Sequence, residues 1–332
     1  MRKPVIAFVT GGYSSEAVIS YKSAITIQHH LDTDRFDVYR IDITPQKWFY
    51  MTPEGIEVPV IWDDFSLNIQ GVKVTFDAVF IGIHGTPGED GKLQGYFDLV
   101  GLPYTSCDAT TSSITFNKRY TVAVAGASGF HVARSVLLFK ETYADNMHAV
   151  DELKLPVFVK PNNGGSSIGM SKVSKTEDLD LAIEKAFRED DQVLVEEFIK
   201  GREFTIGAFK SSGKVITLPF TEIITQNEFF DFEAKYQGKS EEITPAICSE
   251  EVSKKIRQAA SGIYRVFNCR GVVRMDFIYN EHEQLPYLLE INTVPGQSEA
   301  SIIPQQVAAM GLSLKEFYSV LIDEALAMLK KN

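Results

Sequence analysis

Short apolar runs alternate with amphipathic stretches along the first hundred residues, and this pattern predicts a sheet covered by helices. Val5–Thr10 has the length and apolar character of a buried strand, a helix is predicted over about 16–30, and Phe36–Ile43 is the next strand. A strand, a helix and a strand in succession are typical of a parallel sheet. Ala78–Ile83 is another apolar run of strand length. The sequence therefore predicts an α/β fold whose first unit is built on a parallel sheet.

Around Ser106–Lys118 the chain leaves this first unit and the pattern starts again. A helix is predicted over about 117–128. Three further strands are predicted near Ala133–Phe139, Val157–Val159 and Gln192–Phe198. The last amphipathic helix starts near Ser313, which has capping-box spacing to Glu316.

Two strand-like runs, Val272–Tyr279 and Tyr287–Asn292, flank a polar loop and predict an antiparallel hairpin centred near Glu283. Cross-strand partners share a face, and side chains alternate with period two. One face then collects four functional side chains, with Arg274 opposite Asn292 and Asp276 opposite Glu290. The other face is apolar enough to pack into a core and collects five side chains: Val273, Met275, Phe277, Leu289 and Ile291.

Two carboxylates and an amide oxygen on one face repel one another unless a cation joins them. Oxygen donors favour Mg²⁺ or Mn²⁺ over zinc, and Mg²⁺ usually shares its coordination with substrate phosphates. Asp276, Glu290 and Asn292 therefore predict a site for a metal and a nucleotide; a solvated polar face on an edge hairpin is the alternative. Thr293–Gly296 breaks the second strand sharply, and its glycine lets backbone N–H groups approach a ligand.

Three polar segments that contain glycine follow predicted strands and suit ligand binding. GGYSSE contains Glu16, whose alternative role is a favourable charge at a helix N-terminus. HGTPGEDG begins with His84, which is either a hydrogen-bond donor to a substrate or a structural histidine. KPNNGGSSIG joins Lys160 to a loop suited to wrapping phosphates, unless it is a flexible hairpin tip. The first lacks GxGxxG spacing and the third lacks GxxxxGK[ST] spacing.

Two more polar segments are candidates for nucleotide contacts. Glu196 and Glu197 end an apolar strand and could bind an adenine amino group or ribose hydroxyls, with Glu203 beyond the next turn; a solvated face is the alternative. The polar and aromatic segment over 225–245 suits a loop that closes over a site. The natural contributors of this loop are Lys235 and Tyr236.

A net charge of −11 over 332 residues argues against a nucleic-acid partner, whose binding would need a cationic surface. Three scattered cysteines without CxxC spacing fit free thiols in a reducing compartment. The apolar start is too short for a signal peptide, and no run approaches the ~20 apolar residues of a membrane span. We therefore expect a cytoplasmic protein that binds neither nucleic acid nor membrane.

Five segments occur in an order that is specific to one family: HGTPGEDGKLQGYFDLVGLPYTS, VKPNNGGSSIGMSKV, VEEFIKGREF, EAKY and RMDF…LLEINTVPG. They resemble the D-alanine–D-alanine ligases, which are ATP-grasp enzymes of bacterial peptidoglycan synthesis. The resemblance implies three domains: a Rossmann-like parallel-sheet domain over 1–105, a central domain over 106–200 and a C-terminal domain over 201–332. It also implies that ATP is held between the last two α+β domains.

The resemblance further implies that the enzyme joins two D-alanines through an acyl phosphate that is formed with ATP. It also implies that two Mg²⁺ or Mn²⁺ ions are bound and that the enzyme is a homodimer. The residues implied for ATP are Lys118, Lys160, Glu196, Glu197, Ile199 and Glu203. The residues implied for metal are Asp276, Glu290 and Asn292. The residues implied for the two D-alanines and the reaction are Glu16, His84, Ser166, Lys235, Tyr236, Arg274, Gly296, Ser301 and Ile302.

Some positions depart from the pattern of the family. They are Ala17, where an arginine is usual, Asn117, where an aspartate is common, and Gln297 and Glu299 after the PG dipeptide. Tyr236 favours an amine acceptor, because relatives that make D-alanyl-D-lactate tend to carry phenylalanine there. Two alternatives stay open: a ligase for another carboxylate–amine pair, and a nucleotide-binding regulator without catalysis.

Overall fold

The structure is a computed structural model that describes residues 2–165, 168–225 and 240–328. Its α-helices are α1 (Ala17–His30), α2 (Lys92–Val100), α3 (Ala109–Phe116), α4 (Lys118–Ala127), α5 (Met147–Asp151), α6 (Leu179–Ala186), α7 (Glu250–Val266), α8 (Ile302–Ala309) and α9 (Leu314–Met328). Its strands are β1 (Val5–Gly11), β2 (Asp37–Ile43), β3 (Trp48–Met51), β4 (Glu57–Ile61), β5 (Ser66–Ile69), β6 (Val72–Val74), β7 (Ala78–Ile81), β8 (His131–Val132), β9 (Ser135–Phe139), β10 (Val157–Pro161), β11 (Ser171–Val173), β12 (Gln192–Glu197), β13 (Arg202–Ser211), β14 (Lys214–Thr217), β15 (Thr221–Thr225), β16 (Ser240–Ile243), β17 (Val273–Asn280) and β18 (Leu285–Asn292).

The first sheet contains the predicted parallel core. β1 lies between β2 and β7 and runs parallel to both of them, and α1 packs on β1. Glu16 follows β1 and His84 follows β7 in the sequence. The carboxyl ends of neighbouring parallel strands meet at one edge of a sheet, so these two residues come from the same edge.

The first sheet is nevertheless mixed, so the predicted parallel sheet is confirmed only for β1, β2 and β7. Its strand order is β6–β5–β4–β3–β2–β1–β7, and β3 to β6 form antiparallel hairpins that the apolar pattern did not predict. The turns of two hairpins contain Gly55 and Gly71 at positive φ, a backbone conformation that suits glycine. The strands are only three to five residues long, too short to show a clear alternation.

Two further sheets follow. The second has the order β11–β10–β12–β9 and is packed against α6. The third has the order β16–β15–β13–β17–β18–β8, with β14 paired to β13, and it packs against α7. α3 and α4 also contact β18, and β8 pairs with it. The segment over 109–132, which the sequence analysis grouped with the central unit, therefore contacts the third sheet.

α9 connects the first sheet to the third. One apolar core joins residues of α9 to β7 and β13, and its members include Phe80, Phe209, Phe317, Tyr318 and Leu321. The predicted capping box is confirmed, because the N–H of Ser313 donates to Glu316 Oε2 at 2.9 Å and the N–H of Glu316 donates to Ser313 Oγ at 3.2 Å. Among the helices that the structure describes, none combines the length and apolar character needed to cross a bilayer.

Candidate active site

The hairpin of β17 and β18 pairs as predicted at its functional end. Arg274 lies opposite Asn292, and Asp276 lies opposite Glu290. The register then shifts at a β-bulge between Asp276 and Phe277. The four polar residues therefore share one face of the third sheet, as the alternation of side chains requires.

The prediction that Leu289 packs into the core is wrong. The bulge places Leu288 in the core at 1% exposure, while Leu289 lines a cavity together with Glu290. A bulge lets two residues of one strand oppose a single residue of its partner, so the strict alternation of faces is interrupted. The other predicted core residues of the hairpin are buried: Val273, Met275, Phe277 and Ile291.

The guanidinium of Arg274 joins the two carboxylates of the hairpin. Its Nε donates to Asp276 Oδ1 at 3.0 Å, and its Nη2 donates to Asp276 Oδ2 at 2.8 Å and to Glu290 Oε1 at 3.1 Å. Thr205, opposite Asp276 on β13, donates its hydroxyl to Asp276 Oδ1 at 2.9 Å. Burial would lower the pKa of Arg274, but the carboxylates of Asp276 and Glu290 outweigh burial and raise it. Arg274 is therefore a permanent positive charge between two acids.

The turn after β18 brings further polar groups to this face. The N–H of Val294 donates to Asn292 Oδ1 at 2.9 Å and fixes the orientation of that amide. A Cβ at position 296 would lie 2.9 Å from Ser301 Oγ, so Gly296 permits close approach of the turn to the start of α8. Ser301 precedes α8 and Ile302 is its first residue. The turn and the N-terminus of α8 thus lie side by side.

A cavity of about 310 Å³, the first cavity, collects these groups with residues that follow the first sheet. Its lining includes ten candidate site residues named from the sequence: Glu16, His84, Lys118, Arg274, Asp276, Glu290, Asn292, Gly296, Ser301 and Ile302. Residues separated by up to 286 positions in the chain are therefore brought to one cavity, as the sequence resemblance implied.

Two glycines make room for the carboxylate of Glu16. A Cβ at Gly85 would lie 2.6 Å from Glu16 Oε2, and a Cβ at Gly165 would lie 2.8 Å from Glu16 Oε1. Glu16 is the N-cap residue of α1, but its side chain makes no capping hydrogen bond. The carboxylate therefore lies between the loop after β7 and the glycine-rich loop after β10.

His84 combines a structural contact with a place on the cavity wall. It is 6% exposed, and its Nε2 lies 2.9 Å from the Oγ of Ser23 on α1. Its Nδ1 lies 3.8 Å from Oε1 of Glu89, and both residues line the first cavity. The two interpretations of His84 offered by the sequence are therefore compatible.

A second cavity, of about 550 Å³, lies between the second and third sheets. Its lining includes every residue that the sequence resemblance implied for ATP: Lys118, Lys160, Glu196, Glu197, Ile199 and Glu203. The two cavities share Glu16, Lys118, Gly164, Gly165, Asp276 and Glu290. They therefore meet at the carboxylates of the hairpin.

Lys160 and Glu196 form a buried ion pair on the wall of the second cavity. Lys160 Nζ donates to Glu196 Oε2, and the two side chains are only 11% and 3% exposed. Among the described residues, no hydrogen-bond partner is found for the buried Glu196 Oε1. Buried polar atoms are normally hydrogen-bonded, so this oxygen suits a donor from a ligand.

Lys118 and Glu197, which line the second cavity, form hydrogen bonds with backbone groups. Lys118 Nζ donates to the carbonyl of Gly164 at 2.6 Å, which connects α4 to the glycine-rich loop. The N–H of Lys154 donates to Glu197 Oε1 at 2.9 Å.

Three predicted site residues, Ser166, Lys235 and Tyr236, lie outside the residues that the structure describes.

Comparison with known families identifies the chain. The family model for the D-ala D-ala ligase N-terminus matches residues 5–107, and the model for the D-ala D-ala ligase C-terminus matches residues 124–323. The chain belongs to the D-alanine–D-alanine ligase family. The two matched ranges contain nearly all of the residues that line the two cavities.

Curated members of the D-alanine–D-alanine ligase family are similar over nearly their full length. The D-alanine–D-alanine ligase of Phocaeicola vulgatus is 44% identical over 97% of this chain and 99% of its own. That of Parabacteroides distasonis is 45% identical over 98% of both chains. Among solved structures, the VanG D-Ala:D-Ser ligase from Enterococcus faecalis is 31% identical with a TM-score of 0.89, covering 98% of this chain and 100% of its own. D-alanyl-alanine synthetase A from Vibrio cholerae is 30% identical with a TM-score of 0.87, covering 98% and 99%.

Sequence reasoning missed several residues of this ligase-family site. Glu89 lies within the HGTPGEDG segment but was not singled out, although a carboxylate in a glycine-rich loop was an available signal. Leu289 was assigned to the wrong face because a bulge leaves no mark in the apolar pattern. Thr205 gave no signal, since its contact with Asp276 depends on the pairing of β13 with β17.

The structure accounts for two of the departures from the family pattern. Asn117 caps α4 by accepting the N–H of Tyr120 at 3.0 Å, and its Nδ2 donates to Asn163 Oδ1 at 3.1 Å, so an uncharged amide satisfies both contacts. Gln297 is buried, donates to the carbonyl of Pro295 and accepts the hydroxyl of Tyr318 at 3.1 Å. Glu299 is exposed and Ala17 is the first residue of α1, and nothing in the structure explains either substitution.

Proposed function

We propose that this chain ligates two D-alanines to D-alanyl-D-alanine, with conversion of ATP to ADP and phosphate, for peptidoglycan precursor synthesis in the cytoplasm. The observation that carries the proposal is that the first and second cavities meet at Asp276 and Glu290. A carboxylate substrate in the first cavity and the terminal phosphate of a nucleotide in the second would meet there. The names of the curated relatives support the same reaction.

The reaction consists of two displacements. A carboxylate oxygen of the first D-alanine attacks the γ-phosphorus of ATP, the bond to ADP breaks, and an acyl phosphate forms. The second D-alanine, with its amine deprotonated, attacks the acyl carbon, and the tetrahedral oxyanion collapses with loss of phosphate. Catalysis of such steps depends mainly on positioning and on stabilising the developing negative charge.

The charged groups of the first cavity suit two small zwitterions. Glu16 holds the ammonium of the first D-alanine, and His84 lies by its carboxylate. Arg274 and the backbone N–H of Gly296 stabilise the oxyanion, for which a permanent positive charge with fixed donors is well suited. The carboxylate of the second D-alanine binds at the start of α8, through Ser301 and the backbone of Ile302. Ser166, Lys235 and Tyr236 complete this proposal from the sequence resemblance.

The second cavity suits a nucleotide. Lys118 and Lys160 bind the phosphates, Glu196, Glu197 and Ile199 line the adenine site, and Glu203 binds the ribose. Apolar side chains that could contact the adenine ring also line this cavity: Phe158, Met170, Phe198, Ile278 and Leu289. This arrangement supports ATP bound between the second and third sheets, as in the central and C-terminal domains of an ATP-grasp fold. The division of the chain at about 105 and 200 is part of the proposal, although the segment over 109–132 contacts the third sheet.

Asp276, Glu290 and Asn292 have the donor chemistry of a Mg²⁺ or Mn²⁺ site. All three offer oxygen, and the two carboxylates are already positioned around a positive charge. Two ions held there would neutralise the phosphate charge during transfer. The homodimer implied by the resemblance is also part of this proposal.

The function is tested by measuring ADP release and dipeptide formation with different amino acids. With ATP and Mg²⁺, D-alanine is expected to give rapid turnover, and L-alanine or D-lactate as the only substrate is expected to give less than about 1% of that rate, since the missing or misplaced polar group leaves buried partners unpaired. ATP without an amino acid provides the background rate. Strong turnover with another carboxylate–amine pair but not with D-alanine, or ATP binding without turnover, would contradict the proposal.

A second product is favoured by one observation, which is the similarity to a solved D-Ala:D-Ser ligase. The same assay therefore includes D-alanine together with D-serine, and the mixed product is separated from D-alanyl-D-alanine by mass. The curated relatives, at 44% and 45% identity, favour D-alanine as the acceptor. A dominant D-alanyl-D-serine product at equal concentrations of the two acceptors would reverse this preference.

Arg274 donates hydrogen bonds to Asp276 and Glu290, the two carboxylates that are assigned to metal. We therefore expect the guanidinium and the metal ion to compete for these carboxylates. Arg274→Met is expected to bind Mn²⁺ about tenfold more tightly than the unaltered protein in the absence of nucleotide, because it removes a competing positive charge. The free Mn²⁺ signal in electron paramagnetic resonance measures binding directly. Arg134→Met, which removes an exposed arginine paired with Glu152, is the control. Equal or weaker Mn²⁺ binding by Arg274→Met would contradict the assignment of the metal site.

A further inference from the structure

Ser23 is a buried hydroxyl that contacts two parts of the first cavity wall. It lies on α1, is 1% exposed, and has its Oγ 2.9 Å from His84 Nε2. The same Oγ accepts the backbone N–H of Gln297 at 3.1 Å. Gln297 directly follows Gly296, so Ser23 joins the histidine of the first sheet to the turn after β18.

The number of donor protons and acceptor lone pairs at this contact determines the tautomer of His84. A serine hydroxyl has one donor proton and two acceptor lone pairs. One lone pair of Ser23 Oγ accepts from Gln297, and His84 Nε2 is the only acceptor for the hydroxyl proton among the described residues. If Nε2 carried a proton, the hydroxyl proton of Ser23 would be buried without an acceptor, which is unfavourable. The contact therefore favours a neutral ring with the proton on Nδ1.

The other ring nitrogen of His84, Nδ1, lies at the wall of the first cavity. Nδ1 is 3.8 Å from Glu89 Oε1, which is too far for a direct hydrogen bond, and both side chains line the first cavity. A proton on Nδ1 makes the ring a donor toward an anionic group in this cavity. A lone pair on Nδ1 would repel a substrate carboxylate instead.

We propose that Ser23 is a positioning residue that holds His84 in the Nδ1–H tautomer, so that the imidazole donates a hydrogen bond to the carboxylate of the first amino acid substrate. The inference rests on the proposed function for the identity of that substrate. The backbone of His84 is fixed separately, because its N–H donates to Ser20 Oγ at 2.9 Å. Ser23 thus contacts the ring of a residue whose backbone is held by a separate hydrogen bond.

The first test is nuclear magnetic resonance of the substrate-free protein with ¹⁵N-labelled histidine at neutral pH. The ring nitrogens of the two neutral tautomers and of the imidazolium differ in chemical shift, and His84→Gln identifies the signals of His84 among those of the six histidines. The unaltered protein is expected to show a protonated Nδ1 and an unprotonated Nε2. A protonated Nε2, as the other neutral tautomer or as the imidazolium, overturns the proposal.

The second test uses Ser23→Ala. The variant is expected to lose the tautomer preference and to raise the KM for the first D-alanine about tenfold, with a smaller change in kcat, since one hydrogen bond to a charged group is lost. Ser23→Thr restores the hydroxyl and is expected to restore the tautomer. Tyr318→Phe, which removes the hydroxyl that donates to Gln297 and leaves the contact between Ser23 and His84, is the matched control.

A purely structural role for Ser23 would give a different result. In that case Ser23→Ala would lower stability while leaving the His84 tautomer as in the unaltered protein, and this outcome overturns the proposal. The resonance measurement needs no substrate, so it is independent of which amino acids are joined. Failure of the D-alanine assay with a confirmed Nδ1–H tautomer would refute the proposed function alone.

Discussion

Glu290→Ala is expected to reduce ligation by about a thousandfold or more while the protein remains folded. Glu290 lines both cavities, and its Oε1 accepts a hydrogen bond from Arg274 at 3.1 Å. The variant removes one of two carboxylates from the proposed metal set and leaves Arg274 hydrogen-bonded to Asp276. The side chain is 33% exposed, so its removal opens no large cavity in the core. ADP release and dipeptide formation measure the loss.

The control for this experiment is Glu283→Ala. Glu283 is an exposed carboxylate at the turn of the same hairpin, where it accepts a hydrogen bond from Tyr287. This variant is expected to keep activity within about twofold, as exposed substitutions away from special features usually have small effects. Urea unfolding of both variants separates loss of the site from loss of the fold. Near-normal turnover by Glu290→Ala would refute the metal assignment.

Lys160→Met is expected to lower the free energy of unfolding by about 3–5 kcal/mol, because it leaves the carboxylate of Glu196 buried without its cation. The two side chains are 11% and 3% exposed, and the second oxygen of Glu196 is also buried. The same variant removes a charge assigned to the nucleotide phosphates. ATP affinity is therefore expected to fall at least about tenfold, measured with a fluorescent nucleotide at a temperature where the variant is folded.

A double variant separates the two effects. Lys160→Met combined with Glu196→Gln removes both charges and is expected to recover most of the lost stability, since replacing a whole buried pair costs far less than breaking it. ATP affinity is expected to remain low in the double variant. Lys154→Met, which alters an exposed lysine near the second sheet, is the control for a nonspecific effect of lost charge. If the double variant is no more stable than Lys160→Met, the ion pair is not the source of the effect.

The local pattern of the chain was sufficient to predict the polar face of the hairpin. Arg274, Asp276, Glu290 and Asn292 came from a two-residue period within one continuous segment, and the structure confirms their pairing. The position of α1 was also accessible, because the stretch over about 16–30 lies between two strand-like runs in a β-α-β succession. Such features depend on neighbours in sequence, which a single chain displays directly.

Features that depend on contacts between distant segments could not be predicted in the same way. Thr205 reaches Asp276 only because β13 pairs with β17, and Ser23 reaches His84 only because α1 packs beside the end of β7. No spacing rule connects residues 71 or 61 positions apart. The resemblance to a family named the candidate ligand residues, most of which line the two cavities, and the buried hydrogen bonds that orient them required the structure.

The bulge in β18 has a consequence for ligand recognition. A regular strand presents a side chain to a given surface only at every second residue, about 7 Å apart. The additional residue, Leu289, lets β18 present two successive side chains to the second cavity, one aliphatic and one anionic. A ligand that has an uncharged ring at one end and a cation-bound polyanionic tail at the other can therefore contact adjacent positions of a single segment, with the cation lying between the tail and the carboxylate. Shortening the strand by this one residue would preserve the ladder and remove only the aliphatic half of that recognition.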